Sequence, residues 1–223
     1  TNIISGAGSF VLTNAATATL GIGDAAGITT APTAAGNIQT TTRTYNTLAS
    51  LIYNGSVAQV TGNGLAATWG TTNTTITINN TAGVTLSQSL TLGAGTNAGV
   101  VLQNGQFILG ANSLTIPTLG AVTTPSSFNN SRMIVADGTG QLIKNFPASA
   151  LSFLYPIGDG AASSNGAEYT PVNLNFTANN TARNIGFRSV NSRQPNDFTY
   201  TANYLNRYWP STVSATTGTF TLN

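Results

Sequence analysis

From the N-terminus to about Arg132, apolar and polar residues alternate over short runs, and each run is broken by Gly or Asn. The clearest are Ser9-Phe-Val-Leu-Thr, Thr75-Ile-Thr-Ile-Asn, Val84-Thr-Leu-Ser, Leu90-Thr-Leu-Gly, Val100-Val-Leu-Gln-Asn-Gly, Phe107-Ile-Leu-Gly and Leu114-Thr-Ile. A period of two with turn residues every few positions predicts many short strands. No helical period is sustained, and the one candidate helical turn lies around Pro147–Leu151. Between Ile76 and Ile116 a unit recurs irregularly: apolar-Thr-apolar, polar turn, apolar-Thr/Ser-apolar, Gly/Asn turn. Such strands are too short and too closely spaced for long hairpins. Coiled into stacked rungs, each unit buries its inward residues against its neighbours, a core that no single unit can make alone. The pattern therefore predicts a right-handed parallel β-solenoid over residues 1–145.

The remainder reads differently and predicts an antiparallel β-sandwich module over residues 146–223. Thr170-Pro-Val-Asn-Leu-Asn-Phe-Thr places Val172, Leu174 and Phe176 on one face and Asn173 and Asn175 on the other. Further strands are expected at Arg183–Val190, Asp197–Asn203, Leu205–Trp209 and Thr216–Leu222. Aromatic residues gather here, as a separately packed sandwich would require. The change of architecture is expected near Asn145–Gly158.

Charge sharpens this division. Only 5% of the 223 residues are Asp, Glu, Lys or Arg, against roughly 25% in ordinary soluble domains. None lies between Arg43 and Arg132, and most of the rest follow Arg132. Stacked like charges would repel along a coil, whereas stacked Thr and Asn can form ladders of side-chain hydrogen bonds. The apolar runs fall far short of the ~20 residues of a membrane-spanning helix. The net charge of +2 is spread over scattered arginines and the single Lys144, which does not predict a nucleic-acid footprint. Without Cys or His, disulfides, thiolate nucleophiles, imidazole bases and the commonest metal ligands are closed.

Several segments resemble the large surface proteins that Bacteroidota export through the type 9 secretion system. They are Gly36-Asn-Ile-Gln-Thr-Thr-Thr-Arg-Thr-Tyr-Asn, Tyr53-Asn-Gly-Ser-Val-Ala-Gln-Val-Thr-Gly-Asn-Gly-Leu, Thr77-Ile-Asn-Asn-Thr-Ala-Gly-Val-Thr-Leu-Ser and Leu109-Gly-Ala-Asn-Ser-Leu-Thr-Ile. Ser131-Arg-Met-Ile-Val-Ala-Asp-Gly-Thr-Gly-Gln-Leu, Asn145-Phe-Pro, Phe153-Leu-Tyr-Pro-Ile-Gly-Asp-Gly, Tyr169-Thr-Pro-Val and Leu205-Asn-Arg-Tyr-Trp follow in order. The resemblance implies a β-solenoid followed by a β-sandwich unit, an extracellular or cell-surface location, and a role in adhesion, gliding, biofilm or fibre formation. It carries over no catalytic site.

The candidate chemistry is sparse. The acids are Asp24, Asp137, Asp159, Glu168 and Asp197; Asp137-Gly and Asp159-Gly read as turn dipeptides, although Asp159 and Glu168 could meet. A polysaccharide lyase groove would need clustered acids and a base, and the solenoid part offers only Asp24 and Arg43 before Arg132. Thr75-Ile-Thr77 and Thr40-Thr-Thr42 raise ice binding, but Thr is also the ordinary outward residue of a strand. Trp69, Tyr204 and Trp209 are the candidate contact or glycan-stacking residues, with Arg207 a possible cation–π partner. No catalytic, cofactor or metal residue is expected. The expected function is a non-catalytic structural or adhesive segment that associates with itself or with neighbouring modules, possibly end to end. The alternatives are a carbohydrate-binding module of a secreted protein and, less favoured, an ice-binding solenoid.

Overall fold

The computed structural model describes residues 2–13, 18–160, 166–196, 204–215 and 217–222. Among them there is no helix. The chain opens with β1 (Ile4–Val11), β2 (Thr19–Ile22) and β3 (Ile38–Thr44), with β1 and β3 paired in parallel as a small sheet of their own. It then settles into turns of three strands. The first comprises β4 (Ser50–Tyr53), β5 (Gln59–Val60) and β6 (Thr68–Trp69), and the second β7 (Thr75–Asn79), β8 (Val84–Thr85) and β9 (Leu90–Leu92). The third comprises β10 (Gly99–Asn104), β11 (Phe107–Ile108) and β12 (Leu114–Ile116), and the fourth β13 (Ala121–Thr123), β14 (Ile134–Val135) and β15 (Leu142–Phe146).

Each strand pairs in parallel with its counterpart one turn later. Leu51 lies beside Ile76 and Ile76 beside Val100, so a turn takes 25 residues from 51 to 76 and 24 from 76 to 100. The outcome is a parallel β-solenoid with three sheets running along the coil. Because side chains alternate across a strand, the inward residue of each rung stacks on that of the next. One column runs Leu20, Leu51, Ile76, Val100, Val122, and another Gln59, Val84, Phe107, Ile134. Most of these side chains are fully buried, which is how the alternation read from the sequence becomes a core.

The corners are held by the small polar residues that punctuate the runs. Asn73 and Asn97 both adopt left-handed backbone (φ 61° and 59°), and Asn97 Nδ2 donates to Asn73 Oδ1 at 2.9 Å, one turn stacked on another. Inside the coil, Gln59 Nε2 donates to the carbonyls of Ile22 and Asp24, and Asn80 Nδ2 donates to Gln59 Oε1. At Gly93 the turns touch: a Cβ would lie 1.8 Å from the carbonyl oxygen of Gly70.

The last turns change hand-over but not body. The strands are β16 (Leu151–Tyr155), β17 (Ile157–Asp159), β18 (Glu168–Tyr169), β19 (Val172–Asn179), β20 (Arg183–Phe187), β21 (Ser211–Val213) and β22 (Phe220–Leu222). Here β17 still stacks in parallel on β14, with Ile157 beside Ile134. In contrast, β18 pairs antiparallel with β17, β20 with β15, and β21 with β20, so two solenoid sheets are extended by antiparallel strands. β16, β19 and β22 form a separate antiparallel sheet. The boundary expected between residues 145 and 146 thus falls inside β15, and sheet pairing runs through it. Aromatic edges close the joint: Phe146 on Phe176 at 5.0 Å, Phe153 on Tyr155 at 4.8 Å and Tyr155 on Phe187 at 4.9 Å between ring centroids.

The strand expected at Thr170–Thr177 is β19, and that at Arg183–Val190 is β20, ending at Phe187. The helical turn expected near Pro147–Leu151 is instead a bend leading into β16. Leu205–Trp209 is not a strand; it touches the body through an isolated bridge between Tyr208 and Val190. The strand expected at Asp197–Asn203 lies outside the described residues.

Candidate functional site

The three aromatic candidates have three different settings. Trp69 follows exposed Thr68, so the alternation turns its indole inward, where it is fully buried and donates Nε1–H to the carbonyl of Ala49 at 2.8 Å. The exposed contact expected of Trp69 is therefore corrected: its ring has no face in solvent to offer a sugar. Trp209 is half-buried against the core and donates Nε1–H to the carbonyl of Thr170 at 3.0 Å. Tyr204 is 42% exposed, with the Arg193 guanidinium 4.6 Å from the centre of its ring. Arg207, expected beside these rings, reaches acids instead.

The acids are engaged by backbone or by arginine. Asp159 is fully buried in β17, and antiparallel pairing sets it opposite Glu168. Arg207 Nη2 donates to Asp159 Oδ2 at 2.9 Å and also to Glu168 Oε2, while the Glu168 amide donates to Asp159 Oδ1 at 3.1 Å. The meeting of Asp159 and Glu168 anticipated from sequence thus occurs, bridged by a guanidinium. The turn role expected of Asp159 is replaced by this buried ion pair. Asp137 accepts the amide of Gly160 from the following turn, and Asp24 that of Ala26 within its own turn. Among the described residues no group of three His, Cys, Asp or Glu side chains could hold a metal ion.

Sequence reasoning missed the most unusual group. Lys144 is 2% exposed and makes no ion pair among the described residues. Its Nζ donates to the carbonyls of Pro117 at 2.6 Å, Thr118 at 2.9 Å and Gly120 at 2.7 Å, using all three N–H bonds, and lies 4.8 Å from the centre of the Phe153 ring. Burial brings its pKa down to about 8. The signal was present: in Leu142-Ile-Lys-Asn-Phe146 a period of two puts Lys144 on the buried face with Leu142 and Phe146. Arg43 is held in the same manner, by the carbonyls of Thr29, Thr30, Thr33 and Thr40. Burial also raises the phenols of Tyr53 and Tyr155, which donate to the carbonyls of Thr61 and Ile185.

A second feature was not anticipated. Where β20–β21 faces β19–β22, a mostly apolar cleft of about 320 Å³ opens, lined by Phe176, Ile185, Val213, Phe220 and Leu222, with Arg183 on its wall. Arg183 is 4% exposed, 4.8 Å from the centre of the Phe220 ring, and its Nε donates to Asn179 Oδ1 at 3.1 Å. β21 and β22 are the last strands of their sheets, so the cleft lies between two free strand edges.

The threonine runs build no flat lattice of hydroxyls. Thr77 and Thr40 are buried, and on the next rung Thr75 is followed by Gly99 and Thr77 by Val101. Fold and sites together define a parallel β-solenoid whose final turns are extended by antiparallel strands. No protein-family model, curated protein or solved structure matches the chain.

Proposed function

We propose that the chain is a non-catalytic structural or adhesive segment of a secreted protein, displayed on a bacterial surface by type 9 export. In this reading the coil, right-handed as nearly all parallel crossovers are, is a stiff spacer. The antiparallel end is a sandwich-type module that joins it to a neighbour or a second copy. The observation that carries the reading is that the charged groups are spent on architecture. Lys144 and Arg43 sit on backbone carbonyls, and Asp159 and Glu168 are tied to Arg207. A near-neutral surface adds to this, because it removes the long-range repulsion that keeps copies apart. The test is assembly: sedimentation and negative-stain electron microscopy of concentrated protein should show end-to-end oligomers or filaments. Monodisperse monomers across the whole concentration range would overturn the self-associating form of the reading.

Exposed Tyr204, with its cationic neighbour Arg193, favours a second reading as a carbohydrate-binding module. A glycan array separates the two. Binding lost in Tyr204→Ala would establish the second, and a blank array would remove it.

A further inference from the structure

The two ends of the coil present complementary defects. At the C-terminal end, the cleft beside β21 and β22 is apolar and open, with Phe220 and Leu222 each about half exposed. The outer edge of β22 pairs with no strand of the chain. At the N-terminal end, β1 pairs only with β3 and is exposed on both faces from Ile4 to Ser9; Ile3, Ile4 and Val11 are more than half exposed. Since β2 begins one solenoid sheet and β21 ends another, a single chain cannot bring these ends together. Two copies can.

The glycines of β1 favour this occupant. Elsewhere in the coil a strand or corner glycine has a neighbouring backbone pressed against it, as at Gly93, where a Cβ would meet the Gly70 carbonyl oxygen at 1.8 Å. Gly6 has φ 127° and sits where the register of β1 slips against β3, so it serves a bulge. Gly8 has no left-handed φ, and no described atom lies within 4 Å of where its Cβ would be. A glycine inside a strand, with free space around it, marks a place where another backbone comes close. Residues 1–23 also carry no charge, so this segment can enter an apolar cleft without desolvating an ion.

We infer that β1 of one copy lies along the free edge of β22 of a second copy. In that position it adds a strand to the β16–β19–β22 sheet and covers the cleft with Ile3 and Ile4. This is strand addition between unlike surfaces, which propagates head to tail rather than closing as a symmetric dimer. The inference rests on the self-associating reading above and names its interface.

The chain has no cysteine, so single exposed cysteines report contact without background. Ser5→Cys and Thr221→Cys proteins, mixed and oxidised, should form a disulfide-linked pair, whereas Ser5→Cys mixed with Thr71→Cys should not. Gly8→Val should keep the melting temperature of the parent and reduce the linked pair at least tenfold. Leu222→Ser should do the same from the cleft side. If oligomers form, but the Ser5–Thr221 link is absent and Gly8→Val assembles like the parent, this interface is wrong while self-association stands. If neither oligomers nor the link appear, both fall.

Discussion

At the scale of single residues, the cations show how a nearly acid-free chain handles charge. An ammonium buried away from water loses several kcal/mol of solvation unless its N–H groups are satisfied. For Lys144 the turn carrying Pro117, Thr118 and Gly120 supplies three carbonyls in place of a carboxylate. The consequence for pH has a definite sign. Folded Lys144 titrates near 8 and the unfolded chain near 10.5, so between those values the unfolded state binds more protons and stability rises with pH. The gain is about 1.5 kcal/mol between pH 8 and 9.5. Above pH 10 the trend reverses, because Tyr53 and Tyr155, raised by burial, ionise more readily in the unfolded chain. Denaturant titrations across this range should show the maximum near pH 10. Lys144→Met should flatten the rising limb and lower stability at pH 7 by about 1–3 kcal/mol, as the three carbonyls lose their donor. Trp69→Ala, which empties the largest buried site and frees the Ala49 carbonyl, should cost about 3–5 kcal/mol in the same titration.

At the scale of elements, stacking decides which glycines can change. Gly93→Ala drives a methyl into the Gly70 carbonyl and should lower unfolding free energy by about 1–3 kcal/mol. Gly8→Ala, in open space, should be neutral or stabilising by up to about 1 kcal/mol. Paired thermal melts of the two variants check the contrast. The same stacking explains what the sequence made legible. β7 to β12 follow the expected runs almost residue for residue, because each run contains both its turn signals and its inward pair. The last third resisted for a physical reason. β21 exists because β20 offers it an edge, and Leu205–Trp209 is anchored by one indole and one bridge rather than by a ladder. Neither fact is local. Trp69 and Lys144 show the opposite case: the alternation placed both inward, and residue type alone suggested otherwise.

Across the whole molecule, the charges that exist are held by short contacts to carbonyls or by one compact acid–arginine cluster, while the coil between Arg43 and Arg132 has none. Screening acts on exposed, separated charges. The unfolding midpoint in urea should therefore hardly move between dilute buffer and about 1 M sodium chloride, and a chelator should leave it unchanged. A large salt-dependent shift would mean that long-range electrostatics matter more than the contacts indicate. The cleft and the free edges were beyond sequence reasoning, since a free edge is defined by the partner it lacks.

The near-constant turn of the coil, with Leu51, Ile76 and Val100 in register, makes the protein divisible. Removing residues 76–99 would bring Leu51 beside Val100 and reconnect the neighbouring columns, leaving both ends intact and the coil shorter by one strand spacing, about 4.8 Å. Such a chain should still fold cooperatively. Length is then an independent variable of this architecture, changed by whole turns as a ruler is cut at its graduations, with whatever the two ends do left untouched.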